Sequence, residues 1–233
     1  MDLEFVDERP VVRAVGVALP RPRLGIRSRP QLAGRAAKRA FDLALTLLAL
    51  PFALVVMSLA ALAILVVDRQ RPFYFDRRVG LGGRLFRCVK LRTMRGGTLD
   101  AYFEQHPDEA ERYRISRKLL QDPRTTRLGS LLRRWSVDEV PQLFNVLVGQ
   151  MSLVGPRPLE RSEFLCRGER HCRDLVSVRP GITGLWQVNG RSDVSPRKRA
   201  ILDRVYARRW SLGLDARILI ATPAAVLSRR GAR

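Results

Sequence analysis

Twenty-five consecutive positions, Leu43 to Val67, carry no charged side chain (LALTLLALPFALVVMSLAALAILVV). As a straight helix the run would reach about 38 Å, against a bilayer hydrocarbon core of about 30 Å. A core helix of a soluble domain would show a polar stripe, and none is visible, so the pattern predicts a membrane helix. Both flanks are basic, with Arg35, Lys38 and Arg39 before the run and Arg69, Arg71, Arg77 and Arg78 after it. The positive-inside rule therefore asks for both ends in the cytoplasm. A re-entrant hairpin kinked at Pro51, where one backbone hydrogen bond is lost, satisfies it. A single span with a basic outer arm is the alternative, and composition alone leaves both open.

Beyond the apolar run, Pro72 to Met94 reads as short strands and turns (FYF, RRVGLGGRLF, CVKLRTM), too short to specify a sheet order. Asp100 to Gln121 is mostly polar and broken by Pro107, which predicts a surface helix. Asp122 to Leu132 predicts a turn followed by a short basic amphipathic helix. Val140, Leu143, Phe144 and Leu147 recur at i, i+3, i+4, i+7, so a helix is predicted from about Glu139 to Val148, with Gly149 as its stop. Pro141 then sits in the first turn and Asp138 falls at the N-cap. Trp210 to Leu227 fits an interfacial helix broken at Pro223, or equally a helix packed on the domain.

Composition changes the picture through charge: 43 Lys+Arg against 22 Asp+Glu leave a net +21. Such a surplus points to nucleic acid, an anionic membrane surface or a polyphosphate substrate as partner. Nucleic acid is disfavoured, because aromatics are 7% of residues and do not interleave with the basic stretches, and no helix-turn-helix, zinc-finger or RNP-type motif is present. Residues 1–40 carry four prolines and, from Arg9 onward, basic residues and no acid, the pattern of a flexible basic arm. The three cysteines, Cys88, Cys166 and Cys172, cannot all pair. With no Cys-x-x-Cys spacing and no signal-peptide cleavage pattern ahead of the apolar run, a reduced, cytosol-facing chain without a zinc site is expected. Cys166, His171 and Cys172 are read as an incidental grouping.

The densest chemistry lies in RRWSVDEVPQLFNVLVGQMSLVGPRP, Arg133 to Pro158. Asp138 has a capping explanation, and Ser136 with Glu139 fits a capping box. Adjacent helical residues point about 100° apart, so the two carboxylates do not share a proton; one can attack while the other holds a cation. Arg133, Arg134 and Arg157 surround them in sequence, the last between two prolines. A carboxylate nucleophile facing phosphate needs its repulsion removed by guanidinium groups and a divalent ion, and Mg²⁺ suits oxygen ligands and phosphates. Gly80, Gly82 and Gly83 offer a glycine-rich element without the Gly-Lys-Ser/Thr ending of a P-loop. Arg179 to Arg191 (RPGITGLWQVNGR) is either a structural loop on a β-ribbon or a wall of an anion-binding cleft.

The runs KRAFD (38–42), RVGLGGRLFRCVKLRTM (78–94), DPRTTRLGSLLRRWSVDEVPQLFNVLVGQMSLVGPRPL (122–159), RPGITGLWQVNGRSD (179–193) and VYARRWSLGLDARILIAT (205–222) resemble the bacterial sugar transferase family, the monotopic polyprenyl-phosphate phosphoglycosyl transferases. The resemblance covers residues 38 to 222. It implies an α/β, predominantly helical, membrane-associated monotopic domain with one N-terminal re-entrant membrane helix, and so favours the hairpin. The implied organisation is a basic arm at 1–37, the membrane helix at 38–68, a catalytic domain with interfacial helices at 69–227 and a basic tail at 228–233. It also implies that Asp138 attacks the β-phosphate of a UDP-sugar, that Glu139 together with Asp138 holds Mg²⁺, and that Arg133, Arg157 and Arg191 bind phosphate with Lys90 and Arg92 in the preceding basic motif. The sugar-phosphate, a hexose-phosphate by the form of the RPGITGLWQVNGR segment, would pass to polyprenyl (undecaprenyl) phosphate as the first membrane step of exopolysaccharide assembly. The expected location is the cytoplasmic face of the bacterial inner membrane, with membrane lipids as partners and a homodimer left open. Three departures stand out: Pro51 comes early in the membrane helix, DRQRP (68–72) replaces the usual Asp-Ser-Pro-Gly-Pro, and Gln150 stands where an acid is common. An inactive membrane-tethered scaffold is the rival reading, in which Asp138 survives as a cap.

Overall fold

Ala- and Leu-rich sequence sustains helix over a long distance, and in a computed structural model of the chain Arg29 to Ala63 form one α-helix, α1, that runs on as a π-helical turn, Ile64–Asp68. The structure describes residues 29–116, 119, 122–190 and 194–228; the arm at 1–28, Arg191 and the tail from 229 lie outside the described residues. The helix begins nine residues before position 38, where the family resemblance implies its start. Pro51 lies inside it without ending it, because a proline removes a single N–H while the neighbouring turns keep theirs. Arg69, in the left-handed region at φ 52, turns the chain away after the π-helical turn.

Both ends of α1 are fastened to the same globular body. Toward its start, buried Lys38 lies 2.9 Å from Asp42 and 2.8 Å from Asp215. Arg39 donates to the carbonyls of Val146 and Leu147. Toward its end, Met57, Ala60 and Ile64 pack with Leu91 and Leu132, and Asp68 accepts a hydrogen bond of 2.8 Å from the Thr126 hydroxyl. Between the attachments the apolar side chains face outward, Leu48 79% and Phe52 76% exposed.

The next two strands, β1 (Phe73–Val79) and β2 (Leu85–Leu91), form an antiparallel hairpin in which Tyr74 faces Lys90. The polar stretch that follows is two helices, α2 (Asp100–Gln105) and α3 (Pro107–Ser116), and Pro107 opens the second rather than lying within one. Thr126 caps α4 (Arg127–Arg134) through its side chain. A helix α5 (Gln142–Leu147) leads to β3 (Ser152–Val154), which pairs in parallel with β4 (Gly181–Thr183). Two short helices, α6 (Arg161–Leu165) and α7 (Glu169–Leu175), lie between these strands. A one-turn α8 (Leu185–Val188), α9 (Pro196–Arg209) and α10 (Leu212–Leu227) follow. Among the described residues the domain is thus mostly helical with two small sheets, in agreement with the predominantly helical content expected.

Two predicted helix details are corrected. The helix expected over Glu139–Val148 with Asp138 at its N-cap is instead a 3-10 turn, Val137–Glu139, followed by α5 with Pro141 at its N-cap. Pro141 has no N–H with which to continue an α-helical ladder, and bonds from Glu139 to Ser136, Val140 to Val137 and Leu143 to Val140 take its place. Pro223, expected to break the last helix, lies within α10.

Candidate active site

Asp138 sits half-buried on the 3-10 turn, and that turn is entered through Ser136 at φ 57, a left-handed conformation uncommon for a residue with a side chain. Asp138 therefore lies inside this turn, and Pro141, not Asp138, is the N-cap of α5. Burial pushes its carboxyl up to about 6; the charge of Glu139 adds to the effect, while Lys90 and Arg133 pull it down. Two carboxylates and two cations are thus electrically coupled within one small volume.

Side chains from β2, α4 and the Pro156–Pro158 segment lie around it. Lys90, on β2, places its ammonium 3.4 Å from Glu139 Oε1. Arg133, in the last turn of α4, is steadied by a 2.8 Å bond from its Nε to the Thr93 hydroxyl. Arg157, between Pro156 and Pro158, donates its backbone N–H to Asp203 at 3.3 Å and holds its guanidinium 5.8 Å from the centre of the Trp186 ring. A shallow cleft is lined by Lys90, Glu139 and Arg157 together with Arg78, Gln142 and Gln187, and by Gly181 and Ile182. The RPGITGLWQVNGR segment is therefore a wall of this cleft: it forms β4 and α8 rather than a loop on a β-ribbon.

Of the residues singled out in the sequence, Glu139, Lys90 and Arg157 line the cleft, and Asp138 lies beside it in charge contact with Glu139, Lys90 and Arg133. Arg92 does not line the cleft; its Nε donates to the Arg71 carbonyl at 3.0 Å and its guanidinium lies over Tyr74. Arg191 lies outside the described residues. The glycine-rich element is spoken for, since the amides of Gly80, Gly82 and Gly83 bond to the carbonyls of Arg84, Val176 and Gly80; it is a structural turn, not a phosphate cradle. Cys172 donates to the Phe164 and Arg167 carbonyls.

Arg78, Gln142 and Gln187 were missed by sequence reasoning. Arg78 pairs with Asp76 and Glu160 and donates to the Pro158 carbonyl, so it steadies the segment that carries Arg157. Gln142 follows Asp138 by four residues, a helical offset that was the available signal for it. Gln150, at the position where an acid is common, accepts from Asn145 Nδ2 at 2.6 Å. Asn145 also donates to the Arg87 carbonyl and accepts from Val89 N–H, so this pair clamps α5 to β2.

Comparison with protein families gives a match to the bacterial sugar transferases over residues 33–229. The chain belongs to that family. The sugar transferase is 42% identical over 204 residues to the exopolysaccharide production protein ExoY of Sinorhizobium fredii, covering 84% of this chain and 88% of that relative. It is 42% identical over 171 residues to the undecaprenyl-phosphate galactose phosphotransferase of Salmonella typhimurium, covering 71% of this chain and 35% of that protein. It is 41% identical over 172 residues to the UDP-glucose:undecaprenyl-phosphate glucose-1-phosphate transferase of Xanthomonas campestris, covering 69% and 32%. The matched region of the sugar transferase holds the described cleft together with α1 from residue 33 onward.

Proposed function

We propose that this sugar transferase is a polyprenyl-phosphate sugar phosphotransferase that moves a hexose-1-phosphate from a UDP-sugar to polyprenyl phosphate and releases UMP. The observation that carries the reading is a cleft lined by Glu139, Lys90 and Arg157, with Asp138 held in charge contact with Glu139, Lys90 and Arg133 beside it, on a body that also holds both ends of an outward-facing apolar helix. The relatives named for undecaprenyl phosphate and for galactose or glucose transfer support both substrates, and the exopolysaccharide production relatives support the pathway class.

In the first step an Asp138 carboxylate oxygen attacks the β-phosphorus of the UDP-sugar. The bond from that phosphorus to the bridging oxygen breaks, and the electron pair leaves with UMP. Lys90, Arg133 and Arg157 offset the charge that accumulates on the phosphoryl oxygens. In the second step a phosphate oxygen of polyprenyl phosphate attacks the same phosphorus, the acyl-phosphate bond breaks, and Asp138 returns as carboxylate, leaving a polyprenyl-diphosphate-linked sugar. A re-entrant α1 would set this acceptor phosphate at the cytoplasmic membrane surface, where the basic surplus favours anionic lipid.

The paired carboxylates fit a Mg²⁺ ion: two adjacent oxygen donors, one of them held above its ordinary pKa by burial and by the other, are a charge arrangement that a divalent cation relieves. Glu139, with Asp138, would hold it, and bound there it would neutralise donor phosphate charge. The test is UMP release from a panel of UDP-sugars by the detergent-solubilised protein with Mg²⁺ and polyprenyl phosphate. Release from one hexose donor, lost in Asp138→Asn with folding intact, is expected. Unchanged release in Asp138→Asn would overturn the nucleophile assignment, and no release from any donor would bring the scaffold reading forward.

A further inference from the structure

Arg157 is placed by groups that nothing in its own segment supplies. Its backbone N–H donates to Asp203, which is 2% exposed and lies in α9. Its guanidinium carbon sits 5.8 Å from the centre of the Trp186 ring, and a second guanidinium, that of Arg199, lies over the same ring at 5.1 Å. Arg199 also donates from Nε to the Val194 carbonyl at 2.7 Å. Arg199 and Asp203 are four residues apart, so α9 turns both toward the Arg157 segment from one face. Trp186 is 5% exposed, and its indole N–H has no hydrogen-bond partner among the described residues. The indole is therefore placed by packing and by the two cations over it, not by a hydrogen bond of its own.

A long arginine at a cleft edge ordinarily loses rotamer freedom when it binds an anion, and that loss weakens binding. A buried indole that already holds the guanidinium on its ring face, with the backbone pinned by a buried carboxylate, removes part of that loss before the anion arrives. The prolines on either side, Pro156 and Pro158, restrict the remaining backbone freedom.

We propose that Trp186 and Asp203, braced by Arg199, are positioning residues for Arg157 that pre-organise it for the diphosphate of the nucleotide donor. The inference rests on the phosphotransferase reading given above. None of the three touches the reacting atoms; each acts through Arg157.

The test is a double-mutant cycle on the full chain in detergent, using Trp186→Leu, Arg157→Gln and the pair, with donor KM and kcat from UMP release and UDP affinity from calorimetry. Trp186→Leu is expected to raise the donor KM and the UDP dissociation constant about ten-fold, with kcat within about three-fold. In the Arg157→Gln background the same change is expected to add less than about two-fold, because the group it positions is gone. Equal effects in the two backgrounds, or loss of thermal stability with no change in KM, would overturn the proposal. Should Trp186→Leu fail to fold, Trp186→Phe keeps a ring of weaker quadrupole and is expected to raise KM about three-fold in the same cycle. If the wild-type chain releases no UMP, the phosphotransferase reading fails, and the calorimetric cycle with UDP still decides the positioning claim.

Discussion

Asp203 shows how one buried side chain couples the site to pH. Burial pushes its carboxyl up to about 7, against partial relief from the Arg157 amide and the charges of Arg167 and Arg157, with Glu163 adding to the rise. A carboxyl raised in the folded state binds its proton more tightly there than in the unfolded chain. Its contribution to stability is therefore complete below about pH 4 and is lost as pH climbs through about 7. Asp203→Asn keeps an acceptor for the Arg157 amide but cannot ionise. Thermal unfolding followed from pH 4.5 to 8 is expected to show a steeper decline in wild type than in this variant; parallel curves would mean that Asp203 does not hold a raised pKa. The difference between the two curves isolates Asp203 from carboxylates of opposite sign, such as Asp122, whose carboxyl is held low by Arg124 despite partial burial.

At the scale of elements, the cleft depends on β3 and β4 approaching more closely than side chains allow. A methyl group at Gly181 would stand 2.0 Å from the Gly155 amide nitrogen, and one at Gly184 would stand 2.3 Å from the Gly155 carbonyl oxygen. Both obstacles are backbone and cannot swing aside. Gly181→Ala is expected to cost at least about 3 kcal/mol, read as a lower melting temperature in detergent together with loss of UMP release, since Gly181 lines the cleft. A variant with unchanged melting would show that this strand pair can separate freely. By the same logic the Asn145–Gln150 clamp explains how α5 stays against β2 although the α-helical ladder is interrupted at Pro141.

At the scale of the whole molecule, α1 cannot cross a bilayer with its ends on opposite sides while both ends grip one globular body. Arg39 binds the carbonyls that end α5, and Asp68 binds the residue that caps α4. The expected arrangement is both ends on one face with the Leu48–Phe52 region immersed. In a Cys166→Ser background, Ala37→Cys and Arg71→Cys, both at exposed positions, are expected to react with a membrane-impermeant thiol reagent from the same side of oriented vesicles. Labelling from opposite sides would require the body to come apart and would sink the hairpin.

Local pattern determined much of this protein. The length of the apolar run, the short basic helix after the Asp122 turn, the Gly149 stop at φ 80 and the pairing of a nucleophile candidate with basic residues were all legible, because each depends on neighbours within a few positions or on residue chemistry alone. What depended on distant chain was not legible. Sequence spacing suggested a cap for Asp138, yet the loss of one N–H at Pro141 and the left-handed Ser136 turned it into a tight turn facing Lys90. Arg92 and Lys90 look equivalent two positions apart in one basic run, but β2 ends at Leu91, and the packing of Tyr74 and the Arg71 carbonyl against Arg92 separates them. Arg78, Gln187 and the Trp186–Asp203 support of Arg157 join residues tens of positions apart. Hydrophobic period and turn chemistry specify elements; which side chains share a cleft is decided by the energy of packing those elements together, and that sum is taken over the whole fold.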